Sequence, residues 1–416
     1  MNYRGNKLSV ENKYVLKIAK NNQTPFYLYS AKAIKDNFEQ FCRVFKKINP
    51  LICFSVKSNS NPKILRILKS LGAGADVVSG GELLKVLNAG ISPKKIVFSG
   101  VGKSTDELKM AIKRKILLIN AESYSEIALI NKLSKSSKRK TSIGLRLNPD
   151  IDAKTLGKIS TGRAVDKFGL SRKKLIEVCK NLKEFKHIEL NSLSVHIGSQ
   201  ILSDIPFKKT LKVIEEIIRK TKTHFKFIDL GGGFGISYSS KEKRIKLNNY
   251  SNLVNKFKKK YNCNIIFEPG RAIIGNTGIL VSKIQYIKNS ISKSFVIIDA
   301  GMNDFMRPAL YSAKHQIKML VEKQNSDNNS KYDIVGPICE TSDTMAEAVI
   351  LSKNIKSDDY LYIDKVGAYG SVMSSNYNTR ETIQEILINK NCYEIIKNKI
   401  EIEDLIKQEK IASWLK

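Results

Sequence analysis

Lys57 is the residue of this 416-residue chain whose setting best suits covalent chemistry. It follows the apolar run 51–54 and precedes Pro62, after which apolar residues recur at helical spacing. A lysine between a strand and a helix of a parallel α/β protein lies where functional side chains collect. If burial or neighbouring cations lower its pKa, such an amine can form a Schiff base with a carbonyl cofactor. Because most lysines are solvated, this position alone would indicate an ordinary surface residue.

Two further segments contain residue types that could hold such a cofactor. The run Gly231, Gly232 and Gly233 would let backbone N–H groups approach a phosphate, or would form only a tight turn. The segment Glu268-Pro269-Gly270-Arg271 puts a carboxylate and a guanidinium into one loop that proline and glycine fix. The carboxylate could pair with a pyridinium nitrogen, and Arg271 could bind a phosphate or a carboxylate. An internal Glu268–Arg271 ion pair is the alternative.

His196 is one of four histidines and is followed closely by Gly198 and Ser199. At the end of a strand, its ring could stack against a flat cofactor while Ser199 reaches a phosphate. A single histidine is more often a packed, hydrogen-bonded residue, and that interpretation stays open.

The elements that must position these residues alternate between strands and helices. Strand-like runs occur at 51–57, 74–79, 95–99, 116–119, 142–147, 191–197, 225–230 and 264–268, with amphipathic stretches between them. One stretch begins with Ser104-Thr105-Asp106-Glu107, a capping-box pattern. Eight such strands predict a closed (β/α)8 barrel of the TIM type, with an open doubly wound sheet as the alternative. In a barrel, Lys57, His196, Gly231 and Glu268 would all meet at one rim.

The later part of the chain has a different pattern. Apolar runs at 278–281, 294–299 and 360–363 lack regular helical spacers, which predicts a mainly β domain. We expect a barrel over residues 31–282 and a β domain formed by residues 1–30 plus 283–416. The Asn-rich stretch 324–329 predicts a surface loop.

Composition limits the functional classes. The formal charge of +33 comes from 72 Lys and Arg against 39 Asp and Glu, but the basic residues are spread along the chain without a nucleic-acid-binding motif. The six cysteines show no paired metal-ligand spacing, so we expect no metal, and they suit a reducing compartment. No signal-peptide pattern or run of about 20 apolar residues is found. We therefore expect a cytoplasmic protein that binds neither membranes nor nucleic acid.

Six motifs in order resemble those of the alanine-racemase-like barrel decarboxylases that use pyridoxal phosphate. They are Val56-Lys57-Ser58-Asn59, His196-Ile197-Gly198-Ser199-Gln200, the Gly231 run, Glu268-Pro269-Gly270-Arg271, Gly336-Pro337-Ile338-Cys339-Glu340 and Gly367-Ala368-Tyr369. The resemblance runs from about Pro25 to Leu405. Ser58 and Asp166 depart from the expected pattern, where alanine and a small polar residue are more usual.

The resemblance implies a role for each motif. Lys57 would carry the pyridoxal phosphate, His196 would stack on its ring and Glu268 would face the ring nitrogen. The phosphate would be held by Ser199, the Gly231–Gly233 loop, Arg271 and Tyr369, and Pro269 and Gly270 would also belong to the cofactor site. A head-to-tail homodimer is also implied, with Cys339 and Glu340 entering the partner's active site.

Substrate choice is predicted from the second half of the chain. Arg307 and Tyr311 could bind a carboxylate, and Glu340 suits a distal ammonium. A substrate with a carboxylate and an ammonium at its far end is a diamino diacid, and meso-2,6-diaminopimelate fits. Arg271 and Tyr369 are also expected to bind the substrate. Its decarboxylation would give L-lysine and CO2, the last step of lysine biosynthesis, with Cys339 or Lys57 delivering the final proton. The rival functions are a racemase, a decarboxylase of simple diamino acids, a catalytically silent homologue and a nucleic-acid-binding protein. The rival interpretation of Arg307 and Glu340 is a surface ion pair, and that of Cys339 is an inert thiol.

Overall fold

The computed structural model describes residues 1–153, 157–239, 242, 245–323 and 328–415. The chain forms two compact units. The barrel unit comprises Lys35–Ser237 and Lys241–Ile273, and the β unit comprises Met1–Ile34, Tyr238–Ser240 and Ile274–Lys416. The division between Ile273 and Ile274 lies before the expected boundary at 282/283, because the strand that starts at Gly278 pairs within the β unit.

The strands, in chain order, are β1 Asn2–Arg4, β2 Lys7–Val10, β3 Lys13–Tyr14, β4 Phe26–Ser30, β5 Leu51–Ser55, β6 Gly74–Val77, β7 Ile96–Phe98, β8 Leu118–Ala121, β9 Thr141–Leu147, β10 Ile188–Val195, β11 Phe227–Asp229, β12 Asn264–Phe267, β13 Gly278–Asn289, β14 Ser294–Ile298, β15 Ile317–Met319, β16 Asn329–Val335, β17 Thr344–Ser352, β18 Tyr360–Ile363, β19 Gln384–Asn389 and β20 Cys392–Lys397.

The α-helices are α1 Val15–Asn21, α2 Ala31–Val44, α3 Pro62–Ser70, α4 Gly80–Asn88, α5 Thr105–Arg114, α6 Tyr124–Ser136, α7 Arg172–Lys180, α8 Ile205–Thr221, α9 Asn248–Tyr261, α10 Arg271–Ile274, α11 Arg307–Tyr311 and α12 Ile402–Ile406. Short 3-10 helices cover Val56–Ser58, Pro93–Lys95, Gly157–Ile159, Leu182–Glu184, Gly275–Thr277, Ser371–Met373, Tyr377–Thr379 and Ser413–Leu415. Among the described residues, no helix is both long and apolar enough to cross a membrane.

The barrel unit contains a closed parallel barrel in the order β10-β11-β12-β5-β6-β7-β8-β9. The predicted (β/α)8 barrel is confirmed, and the open doubly wound alternative is wrong. A helix follows every barrel strand, as the predicted alternation required. The capping box is present: Glu107 N–H donates to the Ser104 hydroxyl, and Ser104 N–H donates to the Glu107 carboxylate.

The β unit contains a nine-stranded sheet in which β17-β16-β14-β13-β4-β19-β20 follow one another and β18 links β13 to β15. The predicted mainly β domain is therefore confirmed. Its core packs Phe26 and Leu28 of β4 against Ile279 and Val281 of β13. Of the loop predicted at 324–329, residues 324–327 lie outside the described residues, and Asn329 begins β16.

Candidate active site

Four of the predicted functional segments follow four neighbouring barrel strands. Lys57 follows β5, His196 follows β10, Gly231 follows β11 by one residue, and Glu268 follows β12. These strands are consecutive in the barrel order β10-β11-β12-β5. Because the strands are parallel, their carboxyl ends share one rim, and the four segments lie there together.

Lys57 lies in a single turn rather than in the strand predicted to reach residue 57. β5 ends at Ser55, and Val56–Ser58 form a 3-10 helix. The turn closes because the Ser58 hydroxyl donates to the carbonyl of Ser55 at 2.7 Å and Asn59 N–H donates to Val56 at 3.0 Å. Ser58, the departure from the expected alanine, therefore has a structural role beside Lys57.

Asp76 of β6 is the carboxylate next to Lys57. Its Oδ2 lies 3.9 Å from Nζ of Lys57, and the side chains are 1% and 37% exposed respectively. The Ser55 hydroxyl donates to the same oxygen at 2.8 Å. Asp76 thus links the end of β5 to β6 and fixes a negative charge beside the amine.

The glycine run is dictated by close backbone contacts between neighbouring loops. A Cβ atom on Gly232 would lie 2.1 Å from the carbonyl oxygen of Glu268, and one on Gly233 would lie 2.4 Å from that of Gly198. Gly231 and Gly233 also have φ of +63° and +88°, which favour glycine. The amides of Gly231 and Gly232 donate to Asp229 and His196, so they already have partners within the protein.

Glu268 lies in the barrel end, 5% exposed, against a second carboxylate. It is hydrogen-bonded to Asp229, and its Oε1 is buried without a hydrogen-bond partner among the described residues. Burial, followed by the charges of Asp229 and Asp76, raises the pKa of Glu268 well above its ordinary value. A buried acceptor without a partner is costly, so this oxygen suits a ligand that brings a donor.

Asp229 accepts three other hydrogen bonds. Gly231 N–H donates to Oδ1 at 3.0 Å, and Asn120 and Ser194 donate to Oδ2 at 3.0 and 3.1 Å. Since Asp229 is the common acceptor, Glu268 is the partner that carries the proton between the two carboxyl groups. Burial raises the pKa of Asp229 as well.

Asn120 reaches Asp229 because a glycine makes room for it. A Cβ on Gly144 of β9 would lie 2.2 Å from Oδ1 of Asn120. The Asn120 amide also donates to Ser99 and Ser194 at 3.2 Å each. Ser99, Asn120, Ser194 and Asp229 therefore form one network that ends at Glu268.

His196 is a neutral ring with a defined tautomer. Burial, followed by the charges of Lys57 and Arg146, lowers the pKa of His196 well below its ordinary value. Gly232 N–H donates to Nδ1 at 3.2 Å, so the proton of the neutral ring is on Nε2.

Arg271 and Ser199 meet beside these groups. Nη2 of Arg271, a residue only 5% exposed, donates to the Ser199 hydroxyl at 3.1 Å. A Cβ on Gly270 would lie 2.9 Å from the Ser58 hydroxyl, and the Ser55 N–H donates to the Pro269 carbonyl at 3.2 Å. The 268–271 loop is thereby packed against the Lys57 turn, and no Glu268–Arg271 ion pair is found among the described side chains.

Aromatic side chains pack beside the loop that contains Glu268 and the loop that contains the glycine run. Phe267 precedes Glu268, Phe234 follows the glycine run, and their ring centroids lie 5.9 Å apart. Phe41 of α2 lies within 6 Å of both rings, at 5.2 and 5.9 Å, and Phe207 of α8 stacks on Phe234 at 4.9 Å. Close packing of large rings leaves the two loops little freedom to move.

In the β unit, Arg307 begins α11 and is 7% exposed. Its Nε donates to Nε2 of His315 at 3.3 Å, and its guanidinium lies 5.5 Å from the ring centroid of Tyr238. Tyr311, at the end of the same helix, is half-buried.

Cys339 and Glu340 are exposed in a loop that Asp343 organises. The Asp343 carboxylate accepts from Ile338 N–H at 2.7 Å and from Met302 N–H at 2.6 Å. Hydrogen bonds from Tyr377 at 2.5 Å and Ser342 at 2.9 Å hold the pKa of Glu340 below its ordinary value. Glu340 is therefore an anion at neutral pH.

Tyr369 has a left-handed backbone, with φ of +56°. Such a conformation is uncommon for an aromatic residue and is often found at functional sites. The preceding Gly367 is required, because a Cβ there would lie 2.0 Å from the carbonyl oxygen of Ile274.

Five contributing residues were absent from the sequence predictions: Asp76, Asn120, Asp229, Tyr238 and His315. Asp76 and Asp229 had a detectable signal, because each is an acidic residue within an otherwise apolar barrel strand. Asn120 has a similar signal as the polar residue of the apolar strand β8, whereas Tyr238 and His315 have none, since their roles depend on contacts between distant segments.

The comparisons with known proteins agree with this architecture. Residues 31–275 match the model of the pyridoxal-dependent decarboxylase family, pyridoxal binding domain. The barrel fold and this family match together show that the chain is a member of the pyridoxal-dependent decarboxylases.

Individual relatives narrow the family. The chain is 42% identical over 386 residues to the diaminopimelate decarboxylase of Helicobacter pylori strain J99, covering 92% of this chain and 95% of that one. It is 38% identical over 402 residues to the Aquifex aeolicus diaminopimelate decarboxylase, covering 96% and 94%. The crystal structure of the H. pylori enzyme complexed with L-lysine superimposes with a TM-score of 0.90 at 40% identity, covering 95% and 98% of the two chains. The chain belongs to the diaminopimelate decarboxylase family, which confirms the resemblance predicted from its motifs.

The residues at the barrel rim fit the cofactor of this family, pyridoxal phosphate. Lys57 offers an amine, and Glu268 offers a buried oxygen without a partner among the described residues. The Arg271–Ser199 pair offers donors for a phosphate, and the neutral ring of His196 adds no charge near a pyridinium.

Proposed function

We propose that this protein catalyses the pyridoxal-phosphate-dependent decarboxylation of meso-2,6-diaminopimelate to L-lysine and CO2, the last step of lysine biosynthesis. The proposal is carried by one observation: the buried Glu268 oxygen, which has no hydrogen-bond partner among the described residues, lies on the same rim as Lys57 in a chain 42% identical to a diaminopimelate decarboxylase. The crystal structure of the H. pylori diaminopimelate decarboxylase contains L-lysine, which is the product of the proposed reaction.

The cofactor residues are assigned to the barrel unit and to Tyr369. When bound, pyridoxal phosphate supplies the electron sink that accepts the electrons left behind as the α-carboxylate departs. Lys57 would be the covalent attachment point, and Glu268 would face the ring nitrogen, where its carboxylate would keep the ring protonated and positively charged. His196 supports the ring face. The phosphate is held by Ser199, the Gly231–Gly233 loop, Arg271 and Tyr369, and Pro269 and Gly270 also belong to the cofactor site.

The three glycines of the Gly231–Gly233 loop have different roles in this proposal. The Gly231 and Gly232 amides already donate to Asp229 and His196. These two glycines therefore act chiefly by allowing the loop to approach Glu268 and His196. Phosphate contacts in this run fall to the amide of Gly233, beside the side chains of Ser199 and Arg271.

The substrate residues hold the end of the molecule that does not react. Arg307 and Tyr311 bind the distal carboxylate, and the anionic Glu340 binds the distal ammonium. Arg271 and Tyr369 contact the reacting end. Orientation of this kind can contribute several kcal/mol to catalysis because it removes freedom that the reactants would otherwise lose in the transition state.

Cys339 delivers the final proton to the α-carbon, with Lys57 as the alternative donor. We propose a head-to-tail homodimer in which Cys339 and Glu340 enter the partner's site, since both are exposed in this chain. We also propose a cytoplasmic location and no role in nucleic-acid or membrane binding.

Carbon dioxide release from a panel of amino acids tests the proposed function. The panel contains meso-diaminopimelate, ornithine, arginine and lysine, each with and without added pyridoxal phosphate. Release from meso-diaminopimelate alone, and only when the cofactor is present, is the expected result. Preferential release from ornithine or arginine would overturn the substrate assignment.

A further inference from the structure

Arg307 and His315 are hydrogen-bonded partners in the β unit. Nε of Arg307 donates to Nε2 of His315 at 3.3 Å, and both side chains are 7% exposed. An arginine nitrogen can only donate, so Nε2 of His315 must carry the lone pair.

The other ring nitrogen fixes that state. Nδ1 of His315 lies 2.8 Å from the carbonyl oxygen of Asp364. Because a carbonyl oxygen can only accept, Nδ1 carries the proton and Nε2 is left as an acceptor. Both hydrogen bonds thus require the same neutral tautomer.

Aromatic contacts fix the orientation of the ring. The rings of Tyr238 and Phe305 meet His315 nearly edge to face, each with a centroid separation of 4.9 Å and with interplanar angles of 70° and 84°. The Tyr238 ring also lies 5.5 Å from the Arg307 guanidinium, within the range of a cation–π contact. Two contacts therefore hold the Arg307 side chain: the hydrogen bond from its Nε and the packing of one face of its guanidinium against the Tyr238 ring.

We propose that His315 is a positioning residue for Arg307, which sets the guanidinium plane to bind the distal carboxylate and so favours diacid substrates. This rests on the proposed function, in which Arg307 binds that carboxylate. A guanidinium held at Nε meets a carboxylate with the Nη end of its fork, so a rotation about Nε would misalign two hydrogen bonds at once.

Two substitutions of His315 separate its two hydrogen bonds. His315→Asn keeps a donor near the Nδ1 position for Asp364 but does not reach Arg307. His315→Gln extends an acceptor to the Nε2 position. The Asn variant should raise KM for meso-diaminopimelate about tenfold, the factor that about 1.4 kcal/mol of lost hydrogen bonding represents, with kcat changed much less. The Gln variant should restore most of the affinity.

Inhibition constants measure the binding of a ligand that does not itself react. L-lysine retains one carboxylate, and 1,5-diaminopentane has none. The Asn variant should weaken inhibition by L-lysine about as much as it raises KM, while leaving inhibition by 1,5-diaminopentane unchanged. Equal weakening for both inhibitors, or no weakening for L-lysine, would overturn the positioning role.

If His315→Asn does not fold, a substitution at a second residue still tests the proposal. Tyr238→Leu removes the ring beside the guanidinium and should give the same pattern of raised KM and weakened L-lysine inhibition. Unchanged kinetics in a folded Tyr238→Leu variant would then contradict the proposal. Wild-type protein that does not decarboxylate meso-diaminopimelate would instead refute the proposed function, so the two failures are distinguishable.

Discussion

Asp76 Oδ2 lies 3.9 Å from Nζ of Lys57, and the carboxylate is buried while the amine is partly exposed. The pair fixes the amine at the end of β5, where the Ser55 hydroxyl also binds Asp76.

Asp76→Asn should lower kcat about fivefold, because it removes an ion-pair contribution of about 1 kcal/mol at a partly exposed amine. Asparagine can still accept from Ser55, so folding should be preserved. Steady-state kinetics with meso-diaminopimelate measure the effect. Asp106→Asn, which breaks an exposed pair with Lys109, is the matched control and should leave kcat unchanged. Equal kinetics for both variants would show that Asp76 has no role at the amine.

The raised pKa of Glu268 predicts a pH dependence of stability in the cofactor-free protein. The folded state keeps a proton that the unfolded chain loses above about pH 4.3, so the free energy of unfolding should fall as pH rises from there toward the folded pKa. The slope would approach about 1.4 kcal/mol per pH unit for one retained proton. Glu268→Gln, which can still donate to Asp229, should reduce the slope by the share of this one proton, while the other buried carboxyl groups with raised pKa values, such as Glu82 and Asp304, keep theirs.

Urea unfolding between pH 5 and pH 8, at a series of about one-unit steps, measures that slope. Glu189→Gln, an exposed position on β10, is the control and should retain the wild-type slope. A Glu268→Gln protein with an unaltered slope would mean that Glu268 is ionised in the folded state. With cofactor bound, the same variant should lose most of its activity because the ring nitrogen lacks its anionic partner.

Arg307→Lys should raise KM for meso-diaminopimelate at least about tenfold, because a lysine ammonium cannot bind a carboxylate with two parallel hydrogen bonds and has no Nε for His315. Cofactor absorbance should be unchanged, since the substitution lies in the β unit and not among the barrel residues assigned to the cofactor. Kinetics of Arg4→Lys, at an exposed position of β1, provide the comparison. A normal KM in Arg307→Lys would assign the distal carboxylate to another residue.

Shared active sites can be tested by mixing two inactive proteins. Lys57→Ala and Cys339→Ala should each be inactive alone. If subunits exchange at random, half of the dimers are mixed and each contains one site with both native residues, so about a quarter of wild-type activity should return. Sites built from a single chain would give no recovery.

The sequence predicted the barrel because its signals are local. Apolar strands, the Ser104 capping box and glycines after strands all act over a few residues, and each was found as expected. The end of β5 was placed two residues late because Val56 continues the apolar run, while the Ser58 hydroxyl turns the chain. Asn120, Gly144 and Asp229 form one network from three separate strands, and no local pattern reveals which residues face one another across a barrel.

Covalent trapping of the cofactor tests the central claim most directly. Holoenzyme is reduced with borohydride, digested and analysed by mass spectrometry, with Lys57→Ala and the exposed Lys63→Ala treated in parallel. We predict a pyridoxyl group on Lys57 in the wild type and in Lys63→Ala, and neither that group nor visible cofactor absorbance in Lys57→Ala. A pyridoxyl group on another lysine of the wild type, or an active and coloured Lys57→Ala protein, would contradict the account.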